Sequence, residues 1–571
     1  MNTNHPQLVF NNTERTILVM LIGVAVVLGT LGYRDYFHSL NTTATISDLA
    51  YLVINLFFME FEAKGKLPVT LDIARWLAPA TLSYAVIRTL MSLIHNKIQR
   101  LKLSYFKNHA VIIGLNDRTV NVALSFKQSG IKTVVIDSDE YNQYWGALKK
   151  ERITDLVANF SDGNLLQAVN IRKAAYLFVC TDSDNTNLNL LFETFGIKKS
   201  LQHTIQLQSV CQITSQPFLH ALNARNLFAT NHKNMATRTF NTELVTARWL
   251  LNEFGPHKYI TDFSQTNTFS ILITGTNSFT PELIKRLVEI GIYGCANKIR
   301  IIFANANAND VCEQLKTTYP SIATLIDLVA VVTPIQDKGH NYIKGVIEEF
   351  DPNIMYVCST QTDEKLLILQ QLSITEKTIP IVVCETDNQS SFVWLENEFT
   401  NDTNMHFVNI NTVMNHYDNI FENKLDEIAI SIHNDYVAQQ IQKGESIENN
   451  TSIVEWDKLP EILKDANRNQ ADHIAIKCQY LTGSVLPSAD AVKAALTQET
   501  KTVLARMEHQ RWIAEKKIAG WQYTSGEKST PKKLSPSLVD WEELSQDEQQ
   551  KDIDTVAQLP DLVALINSHK E

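Results

Sequence analysis

HAVIIGLNDRTVNVALSFKQSGIKTVVIDSDE, residues 109–140, reads as an apolar strand, a tight turn at Gly114, a helix and a second strand ending on Asp137. That is one βαβ unit, and it makes the centre of the chain an α/β structure. Just downstream, SDGNLLQAVNIRKAAYLFVCTDSDNTN (161–187) supplies a further helix and strand.

The unit recurs. FSILITGTNSFTPELIKRLVEIGIYGCANKIRIIFAN (269–305) has the same strand, turn, helix and strand. The two turns, GLNDRT at 114–119 and GTNSFT at 275–280, share G-x-N-x-x-T and lie 161 residues apart, which marks an internal repeat. Later strands are predicted at IMYVCST (354–360) and IPIVVCET (379–386). A dinucleotide-binding turn wants G-x-G-x-x-G, because its second glycine lets the backbone approach a pyrophosphate. Asn116 puts a side chain there instead. Asp137 lies 23 residues past Gly114, near where a ribose-binding acid falls, whereas the matching strand of the repeat ends on Asn305. Gly114, Asn116, Asp137 and Gly275 are therefore candidate nucleotide-turn residues. A structural role is the competing reading, and no cofactor is certain: NAD or another nucleotide is the candidate.

The strand-turn-helix pattern, Asp137 and the D-x-x-N-T-N run at 182–187 resemble the regulator-of-potassium-conductance (RCK) domain, or TrkA-N type, over residues 108–262. The second Rossmann-like unit spans 263–422. Tandem units of this sort resemble the gating rings of large-conductance calcium-activated and Castor-type channels. That resemblance implies a homo-oligomer, a tetramer foremost, in which ligand-driven rearrangement pulls on an inner helix.

Residues 1–107 read as a membrane unit. Thr16–Tyr33 is 18 residues without a charge, bracketed by Arg15 and Arg34. As a helix it spans about 27 Å, close to a bilayer core of about 30 Å. A signal peptide is the alternative, but YRDYF follows the run where a small-residue cleavage site would stand. A second span is expected at Trp76–Ile94, with Arg88 snorkelling towards headgroups. The basic HNKIQRLKLSYFK (95–107) behind it faces the cytosol by the positive-inside rule, so both termini are expected in the cytoplasm of an inner (plasma) membrane protein. Between the spans, ISDLAYLVINLFFM (46–59) is too short to cross and reads as a re-entrant or surface-lying helix. This layout resembles a potassium-channel pore, but MEFEAKGK (59–66) replaces the selectivity filter. Glu60 and Glu62 would form acidic rings at a pore mouth in an oligomer, or else are solvated loop carboxylates.

Residues 423–571 change character and hold four of the eight tryptophans. VEWDKL (454–459) and VDWEEL (539–544) nearly repeat, and each follows a helical segment with a histidine, ISIHNDYV (430–437) and RMEHQRWIAEKKIAGW (506–521). Two related helical halves are expected. With ANRNQADHIAIK (466–477), Gly520, Pro536 and Asp552, these residues resemble the RyR domain, the ryanodine-receptor repeat. The resemblance implies binding of a small, nucleotide-like ligand. Its site residues would be His433, Tyr436, Trp456, Glu508, His509, Arg511, Trp512, Trp521, Tyr523 and Trp541, with aromatic rings stacking a base and Arg511 holding oxyanions. Each Trp alone reads equally as core of a small helical domain. The polar loop SGEKSTPKKLSP (525–536) would cover such a site.

A net charge of −11 argues against nucleic acid as partner, since phosphate neutralisation needs a basic face. The seven cysteines are odd in number, lack C-x-x-C spacing and sit mostly in apolar runs, which fits reduced core thiols and no metal site. There is no Walker motif, H-E-x-x-H or G-x-S-x-G, so no catalytic residue is assigned and no enzyme is expected. The function expected is a ligand-gated membrane channel or pore-like effector. The alternatives are a membrane-anchored regulatory subunit of a separate ion transporter and a nucleotide-triggered phage-defence effector.

Overall fold

The computed structural model describes residues 12–61, 63, 65–201, 205–215, 218–219, 222, 234–260, 268–294, 299–333, 342–373, 379–386, 390–399, 404–410, 416–421 and 424–568. The chain divides into two compact units, Met1–Phe106 with Ala168–Asn170, and Lys107–Gln167 with Ile171–Glu571.

The first unit contains helices α1 (Asn12–Ser39), α2 (Ile46–Phe57) and α3 (Val69–Ser104). Among the described residues one helical stretch, Glu14–Ser39, is long and apolar enough to cross a membrane. The short apolar segment forms α2, opened by a capping box in which Thr45 and Asp48 satisfy each other's backbone amides. Small residues let the helices close up: a Cβ on Gly32 would lie 2.6 Å from the backbone nitrogen of Leu71 in α3, and one on Gly29 would lie 3.2 Å from Val53 and Leu56 of α2. Arg88 is exposed, and its Nη2 sits 3.5 Å from Glu14 Oε1 on α1. Glu60 is solvent-exposed, and Glu62 lies outside the described residues.

The second unit holds two six-stranded sheets. The first, of β1 (Ala110–Ile113), β2 (Thr133–Asp137), β3 (Thr154–Val157), β4 (Tyr176–Val179), β5 (Leu207–Gln212) and β6 (Met235–Phe240), runs in the order β3-β2-β1-β4-β5-β6. The second, of β7 (Phe269–Thr274), β8 (Ile299–Asn305), β9 (Asp327–Val332), β10 (Ile354–Val357), β11 (Ile381–Glu385) and β12 (Met405–Asn409), runs β12-β11-β10-β7-β8-β9. Both repeat one doubly wound topology, parallel throughout, with the strand before each G-x-N-x-x-T turn at the centre. Burial explains the apolar runs: every residue of β1 and of β7 is buried, as strands covered on both faces require.

Connections cross between these layers. After β12 the chain returns to the first sheet, where Tyr417 stacks on Phe126 at 5.1 Å and Phe421 packs tilted against it at 5.4 Å. The helix Thr242–Phe254, which follows β6, instead gives Ala247, Leu250 and Leu251 to the core of the second sheet. That core continues into the C-terminal helices through Ile474, Leu504 and Met507. The described cysteines are all buried and free, with burial pushing the Cys180 thiol up to about 11.

Candidate functional site

Both sequence turns are closed by their own side chains. In the first, Gly114 adopts φ +97°, and a Cβ there would lie 2.3 Å from the carbonyl oxygen of Cys180. Helix α4 (Asp117–Gln128) then starts with a reciprocal cap: Thr119 N donates to Asn116 Oδ1 at 3.0 Å, and Asn116 N donates to Thr119 Oγ1 at 2.9 Å. Asn116 Nδ2 also donates to Cys180 O at 3.1 Å, tying the turn to the end of β4. The amides that would cradle a phosphate at a helix start are thus partly spoken for. Asp137 takes the backbone amides of Leu115 at 2.6 Å and Asp139 at 2.8 Å. In the second turn Gly275 has φ +72° and presses on Ser359, while Asn277 and Thr280 exchange the same two bonds, each at 3.0 Å. The third and sixth letters of G-x-N-x-x-T are therefore a helix cap in the first turn, and in the second they close the turn just ahead of the helix Thr280–Ile290, a reason the sequence pattern alone did not disclose.

In the C-terminal unit the sequence repeat is also a geometric one. His433, on the helix Glu427–Gln442, places Nε2 2.7 Å from Val454 O, with its ring edge-on to Trp456 at 6.0 Å. His509, on the helix Gln498–Ile518, places Nε2 2.9 Å from Val539 O, with its ring edge-on to Trp541 at 6.0 Å. Both tryptophans open a short 3-10 turn and are buried. Tyr436 is partly exposed and accepts a hydrogen bond from Asn450 Nδ2 at 3.0 Å.

The second-half residues divide into two groups. Glu508 and Arg511 are buried and paired with each other at 2.8 Å; Arg511 also meets Glu515 at 2.8 Å, and Glu508 meets Lys477 at 2.5 Å. Burial opposes ionisation of Glu508, but Arg511 and Lys477 outweigh it and hold the carboxyl far below the usual range. These charges face each other inside the fold. Trp512 stacks on His509 at 5.8 Å, and Lys516 Nζ lies 6.0 Å from the Trp512 ring and 5.9 Å from that of Trp521. The Trp521 Nε1 is buried without a hydrogen-bond partner among the described residues, and Tyr523 is exposed. Trp512 and Trp521 belong to the sequence-derived set, whereas Lys516 does not, and its Nζ is already paired with Glu515 at 2.7 Å; the platform the three form offers two aromatic faces beside a cation that a carboxylate answers. Among the described residues no hydrogen bond, ion pair or ring contact joins it to His433, Tyr436 or Trp456.

A buried ion network, not visible in any motif, lies at the junction. Arg248 of the helix Thr242–Phe254 bonds Asp426 at 2.7 Å and Asp472 at 2.9 Å. Asp472, which ends the helix Glu461–Asp472, also pairs with Arg286 on the helix after β7. Asp426 in turn binds Arg468 at 2.7 Å, and Arg468 pairs with Glu461 and Asp465. Beside the network a cleft of about 230 Å³ opens along β6, the free edge of the first sheet, against the first half of the C-terminal unit. Arg238, Phe421, Asp426, Trp456, Lys464 and Arg468 line it.

Comparison with known proteins adds the following. Residues 110–199 match the model of the TrkA-N domain, and residues 490–569 match that of the RyR domain. The second match covers the latter half of the C-terminal unit. A comparison with curated proteins returned no match. Among solved structures, GsuK bound to ADP is 12% identical, covering 72% of this chain and 97% of that one at a TM-score of 0.38. The GsuK channel bound to NAD is 12% identical over 72% of this chain and 83% of that one, at 0.39. The GsuK RCK domain is 10% identical over 56% and 78%, at 0.36.

Proposed function

We propose that this chain is a membrane-anchored, ligand-gated regulator of ion movement, in which the C-terminal unit binds a small nucleotide-like ligand and the two Rossmann units relay the change. The observation that carries it is the Arg248–Asp472–Arg286 bridge. One buried carboxylate joins the helix after β6, the helix after β7 and the C-terminal unit, so a ligand that favours one arrangement of that unit is felt by both sheets. The matches to a TrkA-N and an RyR domain in one chain support the same reading.

In this proposal α1 and the apolar part of α3 are two spans and α2 dips between them. Both termini lie on the cytoplasmic side, and copies assemble around the membrane unit, as a tetramer foremost. Only residues 105–109 separate the end of α3 from β1, a connection short enough to transmit force. No chemistry is assigned to the protein: the self-capped turns and the internally paired Glu508 and Arg511 support a sensor rather than an enzyme. The sequence MEFEAKGK at 59–66 favours a second reading, an anchor that controls a separate transporter.

Purified protein in liposomes separates the two. Ligand-dependent cation flux from this chain alone supports the channel. Binding without flux supports the regulatory subunit. Recovery of the intact chain in the carbonate-soluble fraction would overturn both.

A further inference from the structure

We infer that the cleft along β6 binds a small ligand bearing a single oxyanion, a carboxylate or a phosphate monoester, with Arg238 as its counter-ion. This deepens the ligand-sensing proposal and rests on it.

Three guanidinium groups line the cleft, and two are saturated. Arg248 is held by Asp426 and Asp472, and Arg468 by Asp426, Glu461 and Asp465. Arg238 differs. Its Nη2 is buried and has no hydrogen-bond partner among the described residues. Burial pushes this guanidinium down to about 10, and the nearby Asp426 only partly offsets that. A desolvated cation without a partner is the arrangement that an incoming anion relieves.

The rest of the lining narrows the ligand. Leu244, Val245, Phe421 and Leu425 offer apolar wall, and Trp456 an aromatic one, so the oxyanion belongs to a molecule with an apolar or ring-bearing remainder. Asp426, Asp457, Glu461 and Asp465 also face the cleft and limit the negative charge it can hold. One oxyanionic head group on a compact ring fits this wall better than a polyphosphate.

The position gives binding a consequence. An anion on Arg238 enters beside Asp426, the carboxylate shared by Arg248 and Arg468. Any shift of Asp426 loosens Arg248, whose other partner, Asp472, is bound to Arg286 of the second sheet's helix. The cleft therefore sits at one end of the ion network that joins the two Rossmann units.

Calorimetric titration of the full-length protein in detergent, using AMP, inorganic phosphate and benzoate as separate probes, tests this. At least one probe binds saturably to wild type, and its identity tells phosphate from carboxylate recognition. Arg238→Gln weakens that probe at least ~10-fold, Arg238→Lys less, and Glu313→Gln, an exposed residue outside the cleft lining, leaves it unchanged. Equal affinity in Arg238→Gln, an equal loss in Glu313→Gln, or no saturable binding of any probe up to about 10 mM overturns the inference. Should Arg238→Gln not fold, Arg238→Lys carries the comparison, since it keeps the charge and removes the planar fork. Binding through Arg238 by a protein that moves no ions would sink the channel reading and leave this one standing.

Discussion

His509 donates from Nε2 to the backbone carbonyl of Val539 at 2.9 Å, fixing the segment that delivers Trp541 to the core. His433 and Val454 repeat the bond at 2.7 Å in the other half. The histidine is thus a tether between a helix and the turn after it, and its ring is the surface on which the tryptophan edge rests. Removing it orphans a carbonyl and opens a hole beside an indole. His509→Ala and His433→Ala are each expected to destabilise their half by about 2–4 kcal/mol, read from denaturant unfolding followed by tryptophan fluorescence. A loss under about 0.5 kcal/mol in both would remove the tether from the account.

The same histidine sets a pH dependence. Burial opposes the charge on His509, but Asp552, with Nδ1–Oδ2 at 3.3 Å, and the Val539 carbonyl outweigh it and raise the imidazole above its usual range. A raised folded pKa stabilises below the unfolded value of about 6.5, and that stability is lost as pH rises through the folded pKa. Asp426 and Glu508 behave oppositely: burial opposes their charge, arginine partners win, and both are held well below the carboxylate range. Their contribution is present above about pH 4 and fades as pH falls through the depressed values. Melting temperature against pH is expected to fall on both sides, and Asp552→Asn to flatten the alkaline limb by removing the carboxylate that holds the charge on His509.

Arg248→Met leaves Asp426 and Asp472 buried with one partner fewer each, and is expected to cost about 3–5 kcal/mol. The loss is also expected to uncouple the units, so that limited proteolysis releases the C-terminal unit at lower denaturant than in wild type. A variant as stable and as protease-resistant as wild type would mean that the apolar contacts through Ile474 and Leu504 hold the junction unaided.

At the turns, Gly114→Ala meets Cys180 O at 2.3 Å on a backbone with φ +97°, a position where a β-carbon is both crowded and strained. Loss of soluble, folded protein is expected. Asn116→Gly, by contrast, is expected to cost about 1–2 kcal/mol, since glycine is a tolerated N-cap and the main loss is the bond to Cys180 O. It also restores the second glycine of a nucleotide turn, so NAD titration of Asn116→Gly against wild type reads whether that side chain is what blocks the site.

In the membrane unit, Gly32→Val puts side-chain atoms where the Leu71 backbone lies and is expected to destabilise the α1–α3 contact by about 1–3 kcal/mol. Reduced yield of membrane-inserted protein, compared with the roomier Gly23→Val, is the readout.

Much of the fold was legible in the chain. Ala110–Ile113 and Phe269–Thr274 are apolar runs before a glycine, and they became the central strands of two sheets with the same order. The repeats VEWDKL and VDWEEL became two copies of one His–carbonyl–Trp arrangement. The edge strands were less legible. Met235–Phe240 reads MATRTF, half polar because one side meets a cleft rather than a core, so no apolar run marks it. The sequence-derived ligand set was mixed for a related reason. Glu508, Arg511 and Trp512 lie within four residues of one another, but Glu508 and Arg511 spend their charges on each other inside the fold, while Trp512 meets His509 and Lys516.

What the amino-acid order determines here is local. Asn116 with Thr119, and Asn277 with Thr280, meet because residues three apart in a tight turn leading into a helix lie within hydrogen-bond reach of each other. What only tertiary structure decided is which distant charges share a dry interior. Arg248 and Asp472 are 224 residues apart, and nothing in their neighbourhoods names the other. They pair because packing the helix after β6, the second sheet and the C-terminal helices around one core removes both from water, and a charge so buried needs a partner from wherever the fold can bring one.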